Sequence, residues 1–97
     1  MTTIVNIKTH RCDCYVGRGS PFGNPYRIGD DGDRSQVISK YREYFIKRLT
    51  EKKFHDMILS LKDKVLGCWC VPLECHGMVI KEYLDNLSWW DQKTHFL

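Results

Sequence analysis

Residues 17–33 gather five of the chain's seven glycines and two of its three prolines. Glycine carries little conformational bias and proline lacks an amide donor, so such a stretch cannot hold regular structure for long. All regular structure must therefore lie before or after it. In a chain of 97 residues, which fits one domain, a segment of this kind is a substantial ordered loop, and long ordered loops in compact domains are commonly functional.

Ahead of the loop, Ile4, Val5 and Ile7 predict a strand over about 3–9, and Cys14-Tyr15-Val16 a second, shorter one running straight into Gly17. Behind it, Asp33 is a good N-cap with Gln36 in the capping-box position. Val37, Ile38, Tyr41, Tyr44, Phe45 and Leu49 recur at helical spacing, predicting a helix over about 34–50. Phe54, Met57, Ile58 and Leu61 predict another over about 52–62. The apolar run Val65 to Cys70 reads as a buried strand closed by Pro72, which cannot donate to a ladder. Met78, Val79, Tyr83, Leu84 and Leu87 mark a last helix beginning near His76.

A strand followed by helices and another strand implies a crossover, hence parallel pairing of the second and third strands. The expected fold is α/β: one small domain with a short, partly parallel sheet of about three strands packed with about three helices. Ligands of open α/β sheets sit at the carboxyl ends of the strands. Two segments occupy those ends, the loop from Gly17 to Pro25 and the stretch from Cys68 to Gly77.

In the first segment glycines permit close approach of backbone to a ligand. Arg18 offers a planar fork suited to phosphate or carboxylate, and Ser20, Gly23 and Asn24 complete a polar turn. No Walker lysine or dinucleotide fingerprint is present. In the second, residues two apart on a strand share a face, which puts Cys68 and Cys70 together with Trp69 opposite. Cys68 reads as a small buried hydrophobe. Cys75 and His76 stand at a helix start, where the dipole lowers a thiol pKa and an imidazole can act as acid or base; they are the expected catalytic pair. A zinc site from Cys68, Cys70, Cys75 and His76, or from Cys12 and Cys14, fits poorly, since structural zinc ligands are usually spaced C-x2-4-C on turns. No metal and no cofactor are expected.

Five cysteines is an odd number, and the C-x-C pairs Cys12/Cys14 and Cys68/Cys70 are poorly placed for disulfides. Free thiols point to a reducing cytoplasm, as does a start without a signal-peptide layout. No apolar run approaches the roughly 20 residues that cross a bilayer. The net charge of +3 is mild and dispersed. Arg42, Lys47, Arg48, Lys52 and Lys53 read as a solvated helix face, with Glu43 and Lys47 at a favourable i, i+4 spacing. Nucleic acid is not the expected partner.

Together the two segments resemble the family catalogued as DUF 4326, a domain of unknown function found in bacteria and their phages. The resemblance rests on Tyr15-Val16-Gly17-Arg18, Ser20, Gly23-Asn24-Pro25, Arg34 ahead of the helix that bears Tyr41, and Cys68-Trp69-Cys70, Pro72, Cys75-His76-Gly77. It covers about 4–84 and leaves an aromatic tail, 88–97. It implies a compact α/β domain with a polar cleft built from those residues, and adds Arg34 and Cys70 to the ligand-binding set of Arg18, Ser20, Gly23 and Asn24. Met78 departs from the acidic residue that members often carry after Cys-His-Gly, so no carboxylate role is carried over. Cys12-Asp13-Cys14 also lies outside the pattern.

Three functions are therefore expected, in this order. The first is a ligand-binding or catalytic domain for a nucleotide or nucleotide-derived metabolite, its phosphate held by the loop. The second is a phage or bacterial interaction protein that binds a host partner, or a second copy, through Trp89, Trp90 and Phe96. The third is a small zinc-stabilised nucleic-acid binder.

Overall fold

The computed structural model describes residues 1–71, 73 and 75–87. In chain order they form β1 (Thr3–Asn6), β2 (Cys14–Tyr15), α1 (Arg34–Arg48), α2 (Lys52–Leu59), β3 (Val65–Cys68) and α3 (Gly77–Asp85). The fold is α/β, with β3 at the centre of a three-stranded sheet of order β1-β3-β2. Both pairings are parallel: Thr3 to Asn6 lie opposite Val65 to Cys68, and Cys14 and Tyr15 lie opposite Leu66 and Gly67. The glycine-rich loop, α1 and α2 supply the crossover from β2 to β3 that a parallel neighbour needs.

Because β1 and β2 flank β3, residues 7–13 must pass across the central strand. They cross at Gly67. A β-carbon there would strike the Ile7 side chain and come within 2.6 Å of the Cys12 sulfur. Gly67→Ala is therefore expected to destabilise the protein by roughly 1–3 kcal/mol, the usual range for overfilling a packed site. Urea unfolding would measure it; an unchanged midpoint would mean that the crossing is loose.

The strands are shorter than their apolar runs suggest, and Asn6 is the reason. Its side chain accepts from the Lys8 amide (2.8 Å), and its carbonyl accepts from Thr9 (3.1 Å) and His10 (3.0 Å), which turns β1 after residue 6. Its amide group also donates to the carbonyls of Trp69 (3.3 Å) and Val71 (2.8 Å), drawing the chain off the ladder after Cys68 instead of Cys70. Pro72, expected to close that strand, lies outside the described residues. Val16 falls just beyond β2, yet its amide still donates to the Gly67 carbonyl at 2.9 Å.

The capping box forms as the spacing predicts. The Gln36 amide donates to Asp33 Oδ1 and the Asp33 amide to Gln36 Oε1, both at 2.9 Å. Both early helices stop short of their expected ends, α1 because Thr50 Oγ1 donates back to the Lys47 carbonyl at 2.7 Å and α2 because Leu61 and Lys62 bond three residues back in tight turns. Their apolar faces meet in the core: Phe45 stacks on Tyr41 (5.9 Å between ring centres) and meets Phe54 (6.0 Å) and Tyr83 (5.7 Å) edge-on. Ile58, Leu66, Ile80 and Leu84 complete a cluster with almost no exposure.

Three of the basic residues of α1 and α2 pair with acidic neighbours. Arg42 pairs with Glu82 (3.1 Å), Arg48 with Glu51 (3.4 Å) and Lys52 with Asp56 (2.8 Å). None of the described helices is long and apolar enough to cross a membrane.

Candidate functional site

Since β2 and β3 are parallel and adjacent, their carboxyl ends leave the sheet on the same edge, and the loop after Tyr15 faces the segment after Cys68. The loop is built to be rigid. Ser20 Oγ donates to the Gly17 carbonyl (2.6 Å) and accepts from the Phe22 amide (3.3 Å), and the Gly23 amide donates to the Ser20 carbonyl (3.1 Å). A β-carbon on Gly23 would sit 2.8 Å from the Gly17 carbonyl oxygen, so only glycine permits this fold-back. The Phe22 carbonyl accepts from the buried Tyr41 hydroxyl at 2.8 Å, which ties the loop to α1.

Arg18 and Asn24 lock the outer half. The Arg18 guanidinium donates to the carbonyls of Asn24 (2.7 Å) and Tyr26 (2.6 Å). Asn24, only 6% exposed, donates to the Val37 carbonyl (3.3 Å) and accepts from the Tyr26 amide (2.9 Å). Two of the five guanidinium N–H groups thus hold backbone.

On the opposite wall, His76 Nε2 lies 2.6 Å from the Val16 carbonyl. A carbonyl can only accept, so Nε2 carries the proton. Burial, with a smaller contribution from the Arg18 charge, pushes the imidazole pKa down and keeps the ring neutral. Nδ1 is then an acceptor. This one bond joins the end of β2 to the start of α3.

Cys68 and Cys75 meet below it. Their sulfurs are 3.1 Å apart, and the residues are 1% and 2% exposed. The Cys75 thiol and the backbone N–H groups of Cys70 and Val71 act on the Cys68 sulfur and hold its pKa down to about 6 against the opposing effect of burial. Cys75 is pushed up, because it shares its proton with Cys68 and is buried; the N–H groups of Gly77 and Met78 at the helix start pull the other way and lose.

These groups surround a cavity of about 240 Å³. Arg18, Asn24, Arg34, Cys70, Cys75 and His76, all singled out from the sequence, line it together. Ser20 and Gly23 do not; with Gly19, Pro25 and Arg27 they line a second, more open depression that shares Arg18 and Asn24 with the cavity. Gly17, Tyr15, Cys68 and Trp69 of the family pattern also line the cavity, and Ile28, Val37 and Ile38, which were not anticipated, complete the walls. Because β3 ends at Cys68, strand alternation no longer governs the residues after it, and Trp69 shares the cavity with both cysteines instead of pointing away. Half exposed at 53%, it stands at the rim.

Among the described residues, no three of His, Cys, Asp or Glu are grouped so as to hold a metal ion. The aromatic tail, with Trp89, Trp90 and Phe96, lies outside the described residues.

Residues 4–86 match the sequence profile of a domain of unknown function, DUF4326. The chain is also 32% identical over 85 residues to an uncharacterised 12.4 kDa protein from the nrdA-td intergenic region of Enterobacteria phage T4, an alignment covering 87% of this chain and 78% of that one. No solved structure matches.

Proposed function

The chain belongs to the DUF4326 family, a name that specifies no chemistry, and from the geometry of its cavity we propose a ligand-binding or catalytic domain for a nucleotide or nucleotide-derived metabolite. The observation that carries this reading is a cavity lined by two arginines, Arg18 and Arg34, together with Tyr15, Ile38 and Trp69. A ligand matched to this lining carries both an anionic group and a flat, apolar one. Guanidinium suits phosphate by charge and by its paired donors, and aromatic faces suit a heterocycle by stacking. The volume is just below the usual range for small-molecule sites, roughly 300–1,000 Å³, and so fits a mononucleotide-sized ligand better than a dinucleotide. The reacting or recognised end would face His76 Nδ1 and the thiol pair. Five free cysteines support a reducing compartment, the host cytoplasm for a phage-encoded chain.

Thermal denaturation with nucleoside monophosphates, nucleosides and inorganic phosphate tests this. A ligand at ten times its Kd adds about 1.4 kcal/mol, which for a domain of this size raises Tm by roughly 5–10 °C. The monophosphates are expected to exceed either fragment alone, and Trp69→Ala to abolish the shift while leaving the unliganded Tm in place. Equal, negligible shifts across the panel would remove the proposal.

A further inference from the structure

We propose that Cys68 and Cys75 form a reversible redox dithiol at the floor of the cavity, Cys68 attacking a small disulfide and Cys75 resolving the adduct. The inference does not depend on which ligand the cavity takes.

Four observations converge. The two sulfurs are 3.1 Å apart, closer than ordinary contact between unbonded sulfurs and farther than the roughly 2.05 Å of a disulfide. Both side chains are buried from bulk water, yet both line the cavity, so a slender reagent reaches them only through its mouth. They belong to different elements, the last residue of β3 and the residue just before His76 and α3. The pair also holds its last proton unevenly, with Cys68 favoured as thiolate and Cys75 as thiol, the division of labour that an attacking and a resolving thiol need.

Atoms and electrons balance in two steps. The Cys68 thiolate attacks one sulfur of RSSR, a Cys68–SR bond forms, the S–S bond of the reagent breaks, and RS⁻ leaves. Cys75 then gives up its proton and attacks the Cys68 sulfur, expelling the second R group, which departs as RSH with that proton. The two cysteines lose two electrons to the reagent. A dithiol reductant reverses both steps. Cys70 also lines the cavity, but no hydrogen bond joins its sulfur to either of the two among the described residues.

The experiment equilibrates reduced protein with 2-hydroxyethyl disulfide, small and neutral enough to pass Arg18 and Arg34, then labels remaining thiols and maps them by fragmentation mass spectrometry. Labelled cysteines are expected to fall from five to three, with Cys12, Cys14 and Cys70 carrying label and Cys68 and Cys75 joined. In a Cys70→Ser background, Cys75→Ser is expected to trap the mixed disulfide on Cys68, whereas Cys68→Ser gives no adduct at Cys75. Five labelled thiols in the oxidised wild-type sample would overturn the proposal, as would a bond joining any other two cysteines. An adduct on Cys75 but never on Cys68 would overturn the assigned roles. The wild-type map needs no variant to fold.

Discussion

Replacing His76 with alanine is expected to cost roughly 2–4 kcal/mol, a fall in Tm of roughly 10–25 °C for a domain of this size. The imidazole is 7% exposed, packs 5.0 Å from the Tyr41 ring, and donates to the Val16 carbonyl at 2.6 Å. Its loss leaves that buried carbonyl without a partner, about 1–3 kcal/mol, and leaves a void beside Tyr41 that a small domain only partly fills. His76→Gln, which keeps an N–H donor on a side chain of similar reach, should recover part of the loss. A cost below about 1 kcal/mol in urea unfolding would mean that the β2–α3 junction is held by something other than this bond.

The same residue sets a pH dependence. Burial lowers the His76 pKa below its ordinary 6.5 in the folded protein, so the unfolded chain takes up a proton that the folded chain resists. Stability from this source is therefore fully present above about pH 6.5 and declines as pH falls below it, by at most about 1.4 kcal/mol per unit. The groups facing the ring are Arg18, whose charge acts in the same direction, the neutral Tyr41, and the Val16 carbonyl, which opposes. Comparing wild type with His76→Gln isolates the effect from the surface carboxylates, since the difference between the two curves should shrink toward acid.

The order of the elements was legible because each has a local cause. Asp33 and Gln36 announce a helix start by their own chemistry, and Phe45 and Leu49 announce its buried face by spacing alone. The meeting of Arg18 and His76 on one cavity was legible too, since parallel pairing of β2 and β3 leaves both following segments on one edge. What the sequence hid is long-range. That Asn6 would end β1 and pull the chain off β3 depends on a side chain reaching 63 and 65 residues along the chain, which no window of sequence contains. Gly67 reads as a weak point in a strand until the residue 7–13 connection is seen to lie on it. Arg18 and Asn24 advertise ligand chemistry, yet both spend donors on the loop's own backbone, so their type alone could not separate holding a ligand from holding the loop in shape. Cys68 is the sharpest case. An apolar strand-end cysteine looks like a small hydrophobe, and only the return of the chain at α3 brings a second sulfur against it.

Alkylation of reduced protein by iodoacetamide should give Cys68 a rate profile with its midpoint near pH 6, its held-down pKa, against about 8.5 for an ordinary thiol. At pH 7 such a group is roughly nine-tenths thiolate where an ordinary cysteine is a few per cent, about a thirtyfold advantage. Intrinsic nucleophilicity falls with pKa, and a Brønsted slope of 0.4–0.5 over about 2.5 units returns roughly tenfold of it. The absolute rate at pH 7 therefore separates the two cases by only about threefold, and burial of the sulfur narrows that further. The position of the midpoint decides. Because the largest cause of the lowered pKa is the proton shared from Cys75, with burial opposing and the N–H groups of Cys70 and Val71 acting in the same direction as Cys75, Cys75→Ala should move the midpoint up. His76, Arg18 and Arg34 also face the cavity but stay unchanged in that variant, so a midpoint that does not move would assign the effect to them and dissolve the thiol pair as a chemical unit.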